Sequence, residues 1–544
     1  MKNAIIWLFL TALIPLAKAQ DIRFNLKTGE TMRDRIKERT YGITGIGAMN
    51  GYSYFLFLPF HAVYGMESVG SNRNYSVGMF DKENRMVKKS EIVLENNGKE
   101  LEFEGLLMLK DNMLVFTSFK NMKDKKHYLF AQSMKSKTLE LNQDTRLTGD
   151  LDFSSFSKFN NTAFTFAVSP DSTKVMFFYA LLDKKGETLG TGIYVFSQDM
   201  KLLWKKAAIA SHFPAGFMEY KQFRLDNDGN VYLLGMHYIT RDNYYDDANF
   251  RGRGFFSKDT YFTDKPNYTC ELFRFSENGS KDERNTLKLD GKFIRSINFQ
   301  PLGGNSVLCT GMYSGTGKIS VEGSFVFNYN ISAGKVENLS TRDLGQELIS
   351  MGLQPEELNR FRKSMSNKQE WDPYNYQISE LKTRQNGDKY FIAEQYIRGT
   401  KVTRNGNNYF HDAIFGNNDL FVVTLSADNQ IKRTDKISKR QYSLNTEQNN
   451  SYSCFEANNK LYFAFNIIES RNKLFTDFEI GDAFITMLDA EGNQKRTVMR
   501  KYDKDSKLVP MFRYGVTMPD NALEYSLSNF NYKDYQFQRL TLNQ

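Results

Sequence analysis

Tyr244, Tyr245, Phe250, Phe255, Phe256, Tyr261 and Phe262 crowd into one stretch, 241–269, with Arg251 and Arg253 interleaved with Gly252 and Gly254. Aromatic rings and guanidinium groups anchor protein partners or stack on sugar rings, because they combine large contact area, few rotatable bonds and directional hydrogen bonds. A second stretch, 399–418, carries Lys401, Arg404, Tyr409, Phe410 and His411, with Arg398 just before it. The candidate binding set is therefore Tyr244, Tyr245, Arg251, Arg253, Phe255, Phe256, Arg404, Tyr409, Phe410 and His411. The competing expectation is that the first stretch buries its own rings as a satellite cluster and the second is a solvated charged loop.

Other reactive groupings are scarce. No G-x-S-x-G nucleophile elbow, H-E-x-x-H or C-x-x-C occurs. The five histidines, His61, His127, His212, His237 and His411, are scattered, so no metal site is assigned. Asp226-Asn-Asp-Gly229 has calcium-loop residue types, but its Gly comes too early for an EF-hand; a hairpin turn is expected. Asp246 and Asp247 are sequence neighbours that should diverge, unlike the facing carboxylates of a glycosidase. Gly45-Ile-Gly47 has no helix after it to receive a phosphate. Cys270, Cys309 and Cys454 each sit in an apolar run. They are expected as free buried thiols, with one disulfide plus an odd thiol as the alternative. No catalytic residue and no cofactor follows from these patterns.

Strands must hold whatever these residues do. The chain has 544 residues, including 45 Phe, 30 Tyr and only 10 Pro. That length exceeds one ordinary core, and Phe and Tyr favour pleated surfaces. Hydrophobic residues at 40% and charged residues at 25% exclude a disordered chain. One pattern keeps returning: strand, tight polar turn, strongly apolar strand, variable loop, strand, second turn, more polar strand. Turns such as Asn50-Gly51, Asp171-Ser172, Asn386-Gly387 and Asn458-Asn459 precede the apolar strands, and these residue types relieve positive-φ strain in hairpins.

The units begin near Tyr41, Leu101, Thr162, Glu219, Phe293, Asn375, Ser451 and Met511, at spacings of 57 to 82 residues. Four-stranded antiparallel units at such a period predict an all-β fold, a β-propeller of eight blades. Seven blades and packed β-sandwiches are the alternatives. The last unit offers only three strands, Met511–Met518, Ala522–Ser528 and Tyr535–Leu542. A spare N-terminal strand, Ile22–Leu26, would complete it and close the ring. In blade rhythm and turns, over nearly all of 20–544, the chain resembles secreted β-propeller proteins as an architectural class. Quinone-dependent eight-bladed dehydrogenases repeat a Trp in each blade, whereas only Trp204 and Trp371 follow residue 19 here. No kelch double-Gly pattern or repeated Trp-Asp dipeptide stands out either.

Residues 1–19 read as a signal peptide: Lys2, the apolar run Ala4–Leu16, then Ala17-Lys18-Ala19. That run is shorter than the roughly 20 residues of a membrane span, and no transmembrane segment is expected in the mature chain. The formal charge of +9 falls to +7 without Lys2 and Lys18, a mild excess suited to acidic partners or an anionic surface. Nucleic acid is not expected as a partner of an exported chain. Residues 20–544 are expected as one propeller domain with insertions at 241–269, 343–371 and 399–418, and a smaller one at 470–482. The insertion at 343–371 holds a helical segment, Leu344–Lys363, with Pro355-Glu-Glu-Leu358 as a helix start. All of these open on one face, a decorated face. The reading is an exported, non-catalytic binding or scaffold propeller of the periplasm or cell surface. Its partner would be protein or glycan at the cell envelope. The alternative is a carbohydrate-active or other hydrolytic enzyme with its site at the channel mouth.

Overall fold

The computed structural model describes residues 22–33, 42–59, 74–142, 144–209, 218–238, 268–315, 321–366, 375–405, 408–470, 478–505, 507–529 and 534–543. These form eight antiparallel blades of a β-propeller. Blade one pairs Gly42–Met49, Tyr52–Leu58, Ser76–Phe80 and Met86–Glu91 in that order. Blades two to seven repeat this order, and the first strand of one blade generally adjoins the first strand of the next. First strands are therefore innermost and fourth strands outermost.

The second strands read as unbroken apolar runs because both of their faces are covered. Blade three shows how. In Lys174–Asp183 the side chains of Val175, Phe177, Tyr179 and Leu181 enter a cluster shared with blade two, while Met176, Phe178 and Ala180 enter one shared with blade four. Alternation with period two thus feeds two interfaces at once. Among the described residues, eight such clusters occur, one for each pair of neighbouring blades. The cluster of Ile43, Phe55, Phe57, Phe80, Val516, Tyr535 and Phe537 joins blade eight to blade one, so the ring closes. Outer strands are Lys- and Arg-rich, as in Ile431–Ile437 and Gln494–Arg500, which discourages pairing with other chains.

The N-terminal strand closes the ring as expected, two residues later than predicted. Phe24–Thr28 pairs antiparallel with Asp534–Leu542, Phe24 opposite Leu542 and Leu26 opposite Leu540. The innermost strand of blade eight departs from the expected Met511–Met518. Val509–Pro510 and Val516–Thr517 each pair briefly with Leu523–Ser528, separated by a 3-10 turn at Phe512–Tyr514. Pro510 has no N–H to give the ladder; Met511 N–H still reaches the Ser526 carbonyl at 2.8 Å before the 3-10 turn interrupts the strand.

The insertion at 399–418 is a correction. It is not a loop: the middle strands of blade six simply continue, as Lys389–Asn405 and Asn408–Leu425. Thr400 lies opposite Ala413, Val402 opposite His411 and Thr403 opposite Phe410, and β-branched and aromatic residue types favour strands. The helical segment is two helices, Gly345–Ser350 and Pro355–Ser366. Pro355 occupies the first helical position, and the Glu357 carboxylate accepts the Gln354 backbone N–H at 3.0 Å, half of a capping box. Asp226-Asn-Asp-Gly229 is a hairpin turn whose Asp226 carboxylate accepts the backbone N–H groups of Asp228 and Asn230. The cysteines are free: Cys270 and Cys309 are buried between blades four and five, and Cys454 is half-buried.

Candidate functional site

Strand direction sorts the two faces. First strands begin, second strands end and fourth strands end on the same face. Every added helix and extra strand among the described residues lies there. They include the small hairpin Glu95–Asn96 with Lys99–Glu100, the two helices between blades five and six, the blade-six ribbon, and Tyr442–Leu444 beside it. The longer connection 136–145 of blade two, with its bridge Met134–Leu141, is the exception on the opposite face. That face otherwise carries clipped turns, such as Asn50-Gly51 with φ of 54° and 80°.

Tyr244, Tyr245, Arg251, Arg253, Phe255 and Phe256 lie outside the described residues. Arg404, Tyr409, Phe410 and His411 belong to the blade-six ribbon, whose register sets Arg404 opposite Tyr409, Phe410 opposite Thr403 and His411 opposite Val402; their side chains lie outside the description. Arg398, at the ribbon's base, is already engaged. Its guanidinium sits 5.3 Å from the Tyr396 ring and 5.1 Å from the Phe415 ring and pairs with Glu447. Arg513 shares that carboxylate at 2.9 Å.

Below the ribbon, the connection from blade six to blade seven builds a buried ionic network that the sequence reading missed. Lys439 is fully enclosed, and its ammonium meets Glu394 at 2.7 Å, the Asn417 carbonyl at 2.8 Å and Gln441 Oε1 at 2.7 Å. The other oxygen of Glu394 accepts Ser451 Oγ–H at 2.8 Å and Asn417 Nδ2–H at 3.1 Å. Burial pulls the Lys439 ammonium below its ordinary range, opposed by Glu394. Lys436 pairs with Asp419 at 2.8 Å and Arg440 with Glu357 of the second helix at 2.6 Å. These pairs line a cavity of about 40 Å³ walled on its apolar side by Ile349 and Leu353. That is room for a few waters or a small polar group. Because each cation has its own anion, the arrangement holds the helices against blade six.

A second grouping lies where innermost strands begin on this face. Blades one to five each carry a β-bulge there, leaving Ile46, Glu104, Asn160, Lys221 and Arg295 unopposed. Bulges re-aim side chains and recur beside functional sites. The half-buried Glu104 carboxylate accepts Ser118 Oγ–H at 2.6 Å. Ser118 Oγ lies 3.0 Å from His127 Nε2, and His127 Nδ1 lies 2.8 Å from Thr162 Oγ1 of blade three. Burial pushes Glu104 up to about 7, with help from Glu102, and pulls His127 down to about 4, with help from Lys120.

Two opposing pH dependences follow. Glu104, raised in the folded state, contributes stability present below its unfolded value and lost as pH rises through about 7. His127, depressed, contributes stability present above its unfolded value and lost as pH falls through about 4. Glu104→Gln should therefore raise stability at about pH 8, by up to about 3 kcal/mol at 1.36 kcal/mol per unit. Near pH 4.5 it should change little. Denaturant melts at both pH values check this; an equal effect at the two would remove burial of the charge as its cause.

No protein-family model and no curated protein matches the sequence. Solved structures give distant likenesses. The β-propeller domain of the Trilobed protease from Pyrococcus furiosus is 9% identical over 85% of this chain and 97% of that one, with a TM-score of 0.32. Prolyl oligopeptidase B from Galerina marginata is 10% identical over 91% of this chain, TM-score 0.37. The Pyrococcus horikoshii acylaminoacyl peptidase is 8% identical over 79% of this chain, TM-score 0.27. The chain spans 55% and 58% of those last two proteins. At scores this low the fold rests on the strand pairing described above.

Proposed function

We propose that this chain is an exported binding or scaffold propeller of the periplasm or cell surface, recognising protein or glycan through its decorated face. One observation carries the reading. Among the described residues, the helices, the ribbon and the extra hairpin all rise from one face, while the other carries mostly short turns. Rigid blades that present variable segments on one side are a common basis for recognition. The test is to present the intact chain to a glycan array and to cross-link it in its native envelope. Saturable binding without chemical change of the ligand is expected.

The second reading, a hydrolase at the channel mouth, draws on Glu104. A carboxyl raised to about 7, so that it keeps a share of its proton at neutral pH, is the kind of group that serves as a general acid. Release of product from a bound glycan or peptide, lost in Glu104→Gln, would establish that reading in place of the first.

A further inference from the structure

The series Glu104, Ser118, His127 and Thr162 has two self-consistent arrangements of its hydrogens. With Glu104 ionised the carboxylate only accepts, so Ser118 donates to it. The Ser118 oxygen then accepts from His127 Nε2–H, and Nδ1 accepts from the Thr162 hydroxyl. With Glu104 protonated, every relation reverses: Glu104 O–H donates to Ser118, Ser118 donates to Nε2, and Nδ1–H donates to Thr162. The two arrangements differ by one proton, taken from solvent and carried on Glu104. The imidazole stays neutral in both, with its hydrogen on Nε2 in one and on Nδ1 in the other.

We propose that these four residues form a two-state hydrogen-bond wire, in which protonation of Glu104 on the decorated face sets the tautomer of buried His127 and the hydrogen-bond role of Thr162 in blade three. Three features support it. The bulge leaves Glu104 unopposed, between the pairs Phe103–Thr117 and Gly105–Phe116. Ser118 and His127 are completely buried, so bulk water does not compete for their hydrogens. The wire also crosses from blade two to blade three, linking the face to a blade interface. The charged and titratable groups around it are few. Glu102 on the same strand and Tyr75 of blade one face Glu104. Lys120, whose Nζ donates to the Asn160 carbonyl of blade three at 2.9 Å, disfavours an imidazolium at His127. The Phe164 ring sits 5.5 Å from the imidazole, edge-on. The inference concerns the protein's own protons and stands whether the face binds or hydrolyses.

The test is nitrogen NMR of the intact chain labelled only at histidine, at about pH 5.5 and about pH 8.5, either side of the Glu104 titration. His127→Gln assigns the signal among the five histidines. The expected result is that the two ring nitrogens exchange roles, with a midpoint near 7, and that both are never protonated together in this range. Thr162→Val removes the Nδ1 partner in both arrangements, so the exchange should persist with its midpoint displaced by no more than about one unit, the scale of one buried hydrogen bond. An unchanged tautomer at both pH values, or a doubly protonated ring, overturns the wire. The unsubstituted chain decides this even if the variant does not fold.

Discussion

Removing Ile22–Thr28 should lower the melting temperature of the entire ring by about 5–10 °C, rather than fraying one terminus. Phe24 to Thr28 supply the fourth strand of blade eight through five paired positions. Ile22, Phe24 and Leu26 also pack on the cluster shared by blades seven and eight. Three half-buried apolar side chains at about 1 kcal/mol each, plus a lost ladder, amount to roughly 4–6 kcal/mol. That is a large part of the 5–15 kcal/mol typical of a folded domain. Phe537 and Leu540, now fully buried in blade eight, would become an edge. Calorimetry of the deletion measures the loss, and adding a peptide of residues 20–33 in trans should restore part of it. An unchanged melting temperature would show that the ring does not depend on this strand.

The other large effect is expected at the buried ion pair. Lys439→Met should cost about 3–5 kcal/mol, because it strands the Glu394 carboxylate in a site shaped around an ammonium. Glu394→Leu alone should cost a similar amount by stranding Lys439. The double variant should recover most of the loss, since replacing both charges removes the desolvation penalty with the attraction. Denaturant melts of the three variants form the cycle. Additive losses in the double variant would mean that the pair does not act as a unit, despite its 2.7 Å separation.

Much of the architecture was legible because it is local. The second strands Tyr52–Leu58, Ser306–Gly315 and Lys460–Ser470 begin where the sequence rhythm places them. Each follows a turn whose residues tolerate positive φ, as Asn458 and Asn459 do at 50° and 57°. The functional features are less legible because they depend on tertiary cover. Lys436-Ile-Ser-Lys439-Arg440 reads as a solvated charged connection; only the helices laid over it, with Glu357 reaching Arg440, enclose it. The blade-six ribbon reads as a loop from its position between second and third strands, although its Thr, Val and Phe content suits a strand. Glu104 did carry a signal: a carboxylate inside the apolar strand Glu102–Met108. His127 carried none beyond being one of five scattered histidines; its place in the ladder opposite Lys120 appears only in the fold. What aims Glu104 is a bulge, which leaves no mark on residue type.

Binding through the decorated face, as proposed, can be separated from binding elsewhere by one comparison. The affinity of the ligand recovered by glycan array or envelope cross-linking is measured for three intact chains. One is unsubstituted, one has ribbon residues 399–412 replaced by a two-residue turn, and one carries Asn278→Gly in a blade-four turn on the opposite face. Asn278 has φ of 56°, so glycine keeps that turn. At least about a tenfold loss of affinity, or 1.4 kcal/mol, is expected for the shortened ribbon and no change for the turn variant. Equal loss in both, or loss in the turn variant alone, would contradict binding through the decorated face.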